Sequence, residues 1–253
     1  MKLIPRSLVE VGILFLPSIP AYLWLWPNVS GVRQQVAQIL VYFYFLAGAL
    51  WIGLRRWNLN QLGLNWKGLG LSLVCGLALL VGRLLVIFSV SWNQPSPPFN
   101  PARLGGEILY YFGLVGLVEE LLFRGLLYRI LEDWRGVRWA IWGTSLGFVL
   151  WHVFGQGLLV GLAGFIIGLL FALVRWRAGG IAGLILVHGL ADITSAELLP
   201  SIDISQLGRP VIIHPALLIL GYLLIFLVPV YLWKIHPWVE RQLKLRGFGQ
   251  SGR

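Results

Sequence analysis

Eight apolar runs follow one another along this 253-residue chain, at roughly 8–26, 35–54, 69–90, 106–131, 139–154, 158–174, 181–199 and 211–233. They constrain its fold more than any other feature does. A run of about 17–25 apolar residues is the length that crosses a bilayer as a helix. Lipid offers the backbone no hydrogen bonds, so a spanning segment must be a helix or part of a closed barrel. Continuous rather than alternating hydrophobicity selects the helix. The chain has 12% charged residues, 58% hydrophobic residues and a mean hydropathy of +0.79, whereas soluble domains carry about 25% charged residues. The expected fold is all-α: a polytopic membrane helix bundle of about eight transmembrane helices. It forms a single transmembrane domain over 1–253, with no stretch left for a soluble one.

The opening MKLIPRSLVEVGILFLPSIPAYLWLW has the basic-then-apolar order of a signal peptide but no small-x-small cleavage site, so it reads as the first span, kinked at Pro17 and Pro20. The fifth and sixth runs are short and joined by Gly155, Gln156 and Gly157, which predicts a tight helical hairpin or a partly re-entrant pair. The segments Asn93 to Arg103 and Pro200 to Pro210 read as surface loops. Alternate connections divide the basic residues very unevenly: one side holds 15 Lys and Arg, and the other holds only Arg33, Arg103 and Arg209. The side with the excess faces the cytoplasm, so both termini are expected there, in the plasma (inner) membrane if the source is bacterial. Trp24, Trp26, Trp51, Trp57, Trp92 and Trp233 fall near helix ends, as an aromatic belt requires. A net charge of +10 would suit nucleic acid in a soluble protein. Here it reports orientation, so the expected surroundings are the lipid bilayer and not nucleic acid. The single cysteine, Cys75, lies within an apolar run and reads as a buried thiol.

Ionisable groups at one-turn spacing from a partner residue interrupt three of the runs. Each costs about 2.5–3.5 kcal/mol near the bilayer centre on insertion scales, and such groups mark function by default. In LVGLVEELLFRGLLYRILEDWR, residues 114–135, Glu120 and Arg124 lie one helical turn apart and can pair, while Glu119 points about 100° away. FVLWH puts Phe148 and His152 on one face of the fifth helix, and HGLAD does the same for His188 and Asp192 on the seventh. Glu119, His152, His188 and Asp192 could converge on a wet cavity with the parts for activating water. At about 1.5 Å of rise per residue, Glu119 and His188 come out nearer the cytoplasmic face and His152 deeper. Arg83, inside the third span, either snorkels to the outer headgroups or pairs with Glu107. His214, His236, Glu10 and Glu197 sit near helix ends, within reach of water. Gly161, Gly164 and Gly168 read as a close-packing face.

EELLFR fits an EExxxR motif, FVLWH fits FxxxH, and HGLAD fits HxxxN/D, in that order on successive polar-bearing helices. In this the chain resembles the CPBP family of intramembrane proteases, which includes the type II CAAX prenyl endopeptidases and bacteriocin-processing or immunity proteins. The motif-bearing core covers about 106–199. The resemblance implies an endopeptidase acting on a membrane-associated peptide or protein. Glu119 would be a general base that activates water with His152, while His188 and Asp192 would stabilise the oxyanion or complete a metal site. Glu120 and Arg124 would form a structural pair, and Phe148 would pack the site wall. No cofactor is expected. The alternative is a divalent metal such as zinc on Glu119, His152, His188 and Asp192, since two histidines with carboxylates make a zinc-type set. Position 192 departs from the Asn of the best-understood branch, and an ionised Asp only accepts hydrogen bonds. Two other functions would use the same constellation. One is a non-catalytic membrane binding or immunity protein. The other is a proton-coupled carrier, which the lack of an internal repeat disfavours.

Overall fold

A computed structural model describes residues 3–20, 28–91, 101–197 and 213–237. Among them every regular element is helical. In chain order these are α1 (Arg6–Phe15), with a further turn at Ser18–Pro20, α2 (Val32–Leu54) and α3 (Leu69–Ser91). Then come α4, a continuous path over 101–135, α5 (Val137–Gln156), α6 (Leu158–Ala178), α7 (Ala182–Glu197) and α8 (Pro215–Ile235). Three of them, α2, α3 and α8, are long and apolar enough to cross a membrane by length and composition. Only 17% of the α8 window is buried by protein. Its outward Leu223, Phe226 and Leu227 are more than half exposed, a face too apolar for water. The chain is an integral membrane protein.

Several boundaries differ from the sequence reading, each for a local reason. The first run is not one helix: α1 stops at Phe15, ahead of Pro17, which has no N–H to donate. Ser18 Oγ donates to the Phe15 carbonyl at 2.6 Å, capping the interruption. Arg103 is helical rather than in a loop, because Pro101 opens α4, the position where its fixed φ suits a helix. Arg103 also pairs with Glu107 at 3.2 Å. At the other end α4 runs on to Arg135 and breaks at Gly136, φ +87°. The loop at 200–210 and Trp24, Trp26 and Trp92 lie outside the described residues. Of the remaining belt candidates, Trp51 and Trp233 are exposed, whereas Trp57 donates to Asp133 at 3.1 Å. Glu10 does more than reach water: Arg6, Arg55 and Arg56 surround it at 3.1, 3.0 and 2.9 Å, tying α1 to the end of α2.

The fifth and sixth runs are helices of 20 and 21 residues packed as a tight antiparallel hairpin. The reversal is made at Gly157 alone, with φ +90°, a conformation L side chains rarely adopt. The glycines of α6 do face α5: a Cβ on Gly161 would collide with Val153, one on Gly168 would press on Ser145, and one on Gly164 would rest in ordinary contact with Phe148. The connection 55–68 folds inward. Leu62 is fully buried in the same cluster as Phe123, Leu126 and Ile181, and the Ile181 N–H donates to the Gly63 carbonyl at 2.8 Å. The start of α7 therefore sits inside the protein rather than at a surface.

The α3–α8 seam is another glycine contact. A Cβ on Gly221 would come within 2.7 Å of the Gly82 carbonyl oxygen, and one on Gly82 within 2.8 Å of that of Gly221. Gly221→Leu should destabilise the protein by about 1–3 kcal/mol, the usual cost of overpacking. Gly70→Ala, where nothing lies within 4 Å, should leave it unchanged; thermal unfolding in detergent compares the two.

Candidate functional site

The two adjacent carboxylates of α4 do different work. Glu120 and Arg124 are fully buried and pair at 3.0 Å. The Arg124 guanidinium lies 4.3 Å over the Phe148 ring, and its Nη2 donates at 3.4 Å to the carbonyl of Gly168. The Phe148 ring, expected from sequence to pack the site wall, lines the neighbouring cavity and roofs the ion pair. Glu120 has a second task that sequence reasoning missed: its Oε1 accepts from His188 Nδ1 at 2.7 Å. With Nδ1 donating, the neutral ring turns the lone pair of Nε2 the other way. His152 is held in the same tautomer, because its Nδ1 lies 2.9 Å from the Phe148 carbonyl oxygen, which can only accept.

Glu119 is anchored by one oxygen and open at the other. Its Oε1 accepts from Tyr42 Oη at 2.9 Å and from Trp151 Nε1 at 3.0 Å. Its Oε2 is buried without a hydrogen-bond partner, 3.9 Å from His152 Nε2 and 3.7 Å from His188 Nε2. Asp192 Oδ2 stands 3.6 Å from the same His188 nitrogen. The structure thus brings together all four residues expected to converge. The depth mismatch expected between His152 and the other two disappears, because α7 starts within the protein and helix ends are not level markers. Tyr42 and Trp151 were not singled out from sequence. Their signal was present: an O–H and an N–H in mid-helix need partners wherever lipid supplies none.

A cavity of about 190 Å³ opens beside this cluster, enough for several waters. His152, His188 and Asp192 line it among apolar walls that include Leu79, Phe148 and Phe171. Glu119 is not in that wall; its Oε2 meets the two Nε2 atoms from behind. Arg83 is in the wall. It neither snorkels outward nor pairs with Glu107, and its Nη1 donates to the Ala191 carbonyl at 3.4 Å.

Zinc would need nitrogen and oxygen donors about 2.0–2.2 Å from one point. Among the described residues, no three His, Cys, Asp or Glu side chains are gathered to hold a metal ion. The four candidate ligands stand 3.6 to 3.9 Å apart at their neighbouring donor atoms. Geometrically they are four lone pairs, on two nitrogens and two oxygens, turned towards one small space.

Removing one partner of a buried ion pair typically costs about 3–5 kcal/mol, because the other charge is left unpaired. Arg124→Met should therefore lower the yield of monodisperse protein sharply on size exclusion. The double change with Glu120→Gln, which removes both charges of the pair and still accepts from His188, should restore part of it.

Residues 102–194 match the family model for type II CAAX prenyl endopeptidase Rce1-like proteins. The chain is also 26% identical over 195 residues to an uncharacterized 24.3 kDa protein of Escherichia coli, covering 72% of this chain and 83% of that protein. No solved structure matches it. The match encloses Glu119, Glu120, Arg124, Phe148, His152, His188 and Asp192, the residues of the three motifs.

Proposed function

We propose that this protein is an intramembrane endopeptidase that hydrolyses a peptide bond of a membrane-associated substrate, using a water activated by Glu119 and His152. The observation that carries the reading is the buried Oε2 of Glu119, which lacks a hydrogen-bond partner and faces two imidazole lone pairs. Four acceptors with no donor between them favour a guest that brings protons. Water brings two. Donating one to Glu119 Oε2 and one to His152 Nε2, it turns an oxygen lone pair towards the cavity, where a substrate carbonyl would sit.

As the water oxygen bonds to the carbonyl carbon, one O–H bond breaks and the proton passes to Glu119. The carbonyl π pair moves onto oxygen, giving a tetrahedral oxyanion. When that pair returns, the C–N bond breaks and the leaving nitrogen takes a proton from Glu119, directly or through His188 Nε2. The products are an amine and a carboxylic acid. Tyr42 and Trp151 hold the base still by occupying its other oxygen, and Glu120 keeps the His188 lone pair turned towards the reaction. In this assignment His188 and Asp192 act as acceptors. No step runs through a metal.

The same reading includes eight membrane crossings with both termini cytoplasmic, supported by the distribution of Lys and Arg. On a Cys75→Ser background, Lys67→Cys should react with an impermeant maleimide only from the cytoplasmic side and Arg33→Cys only from the other.

Cleavage of a membrane-anchored fluorogenic peptide by the purified protein in lipid nanodiscs tests the chemistry. Glu119→Gln and His152→Ala should each abolish turnover without changing the elution profile. Tyr42→Phe and Trp151→Phe should each lower kcat about tenfold to a hundredfold, the worth of a hydrogen bond to a charged group at about 1.5–3 kcal/mol. Undiminished cleavage by both Glu119→Gln and His152→Ala would end the protease reading and leave a binding role for the fold.

A further inference from the structure

The proposed hydrolysis leaves one requirement unmet. A tetrahedral oxyanion forming beside Glu119 and Asp192 adds negative charge where two carboxylates already stand. Preorganised donors about 2.7–3.1 Å from such an oxygen are usually the largest catalytic contribution. Near the reaction space His152 and His188 turn lone pairs inward, Asp192 can only accept while ionised, and the Trp151 N–H and Tyr42 O–H are committed to Glu119.

Arg83 is the exception. It comes from α3, outside the matched domain, and puts a guanidinium into the wall of the cavity that His152, His188 and Asp192 also line. Its one described hydrogen bond is the long contact with the Ala191 carbonyl, at 3.4 Å. Among the described residues no carboxylate lies within ion-pair distance of this half-buried side chain, whereas the fully buried Arg124 has Glu120 at 3.0 Å. A guanidinium carries five N–H donors, so most of this one's capacity is unspent. A cation inside a span without a direct carboxylate contact is costly and marks function by default.

We propose that Arg83 is a catalytic residue, the oxyanion donor of this active site: its N–H groups and positive charge hold the substrate carbonyl oxygen as the tetrahedral intermediate forms. The assignment rests on the protease reading above. During attack the π pair of the carbonyl moves onto the oxygen facing Arg83. On collapse the pair returns as the C–N bond breaks, and Arg83 exchanges no proton at any stage. Asp192, one residue beyond the carbonyl that Arg83 touches, supplies a nearby countercharge for the guanidinium between turnovers.

The test is a double-mutant cycle in nanodiscs with the membrane-anchored peptide, using Arg83→Gln, Asp192→Asn and both. Arg83→Gln should lower kcat about 10²–10³-fold, the range seen when one oxyanion donor is removed, with KM changed less than threefold. In the Asp192→Asn background the same change should cost less than tenfold, because the asparagine amide can donate in its place. Arg83→Lys should recover part of the loss.

A second measurement covers a variant that folds poorly. A peptide phosphonate, an anionic tetrahedral mimic, should bind the wild type at least tenfold more tightly than Arg83→Lys, while the uncleaved peptide binds both Glu119→Gln and its Arg83→Lys double variant equally. Equal losses in the two Asp192 backgrounds, a rise in KM at constant kcat, or equal phosphonate affinity would each overturn the assignment. Cleavage that needs Glu119 but not Arg83 removes this inference alone. Cleavage indifferent to Glu119 and His152 removes the protease reading and this inference with it.

Discussion

The buried pair of Glu120 and Arg124 is the joint on which the rest of the candidate site's geometry turns. A guanidinium with no exposure must find partners for its donors and its charge, and here they come from several directions. Glu120 supplies the carboxylate, Gly168 of α6 a carbonyl, and Phe148 of α5 and Phe171 of α6 supply ring faces at 4.3 and 5.5 Å. The backbone beside it is tied as well, since Arg175 Nε donates to the Arg124 carbonyl at 3.1 Å. Through Glu120 the same pair reaches His188 on α7. One i,i+4 contact thus sets the relative rotation of four helices, and both histidines take their orientation from it or from the Phe148 turn beneath it.

The helix that carries this pair is not uniformly wound. Turns of wider, i→i+5 spacing occupy Tyr111–Gly116 and Leu121–Leu127 and bracket the regular turn Leu117–Glu120 that bears both carboxylates. Such turns are rare and recur at functional sites, where they re-aim side chains. Here they coincide with close backbone approaches. A Cβ on Gly116 would press on the Ile185 carbonyl, and one on Gly125 on the Leu62 carbonyl, each at 2.9 Å. α4 can thus lie against α7 and against the inward-folded loop while Glu119 and Glu120 face different partners.

Electrostatically the three carboxylates of the site are treated differently. Glu120 is matched by Arg124 in direct contact, and Asp192 faces the cavity that Arg83 also enters. Glu119 receives only the neutral donors Tyr42 and Trp151. The carboxylate without a cation is the one positioned to take a proton, and apolar walls around the cavity keep the surrounding dielectric low enough for these differences to matter.

The amino-acid sequence by itself determined whatever depends on local period and composition. Long apolar runs make helices in lipid, acid and base four apart meet, and the three polar pairs at helical spacing lie where the motifs indicated. The ends of α4 were not so determined: the apolar run suggested 106–131, whereas Pro101 and Gly136 bound the helix. Only the tertiary structure decided which groups meet across helices: Tyr42 with Glu119, His188 with Glu120, Arg83 with the Ala191 carbonyl, pairs separated by 77, 68 and 108 residues. Such pairings depend on how each helix is rotated and where it starts, and a periodic apolar pattern leaves both undetermined when nearly every face of a helix is apolar. Buried ion pairs, glycine contacts and the loop around Leu62 supply that information, because each is satisfied in only one mutual arrangement of the helices.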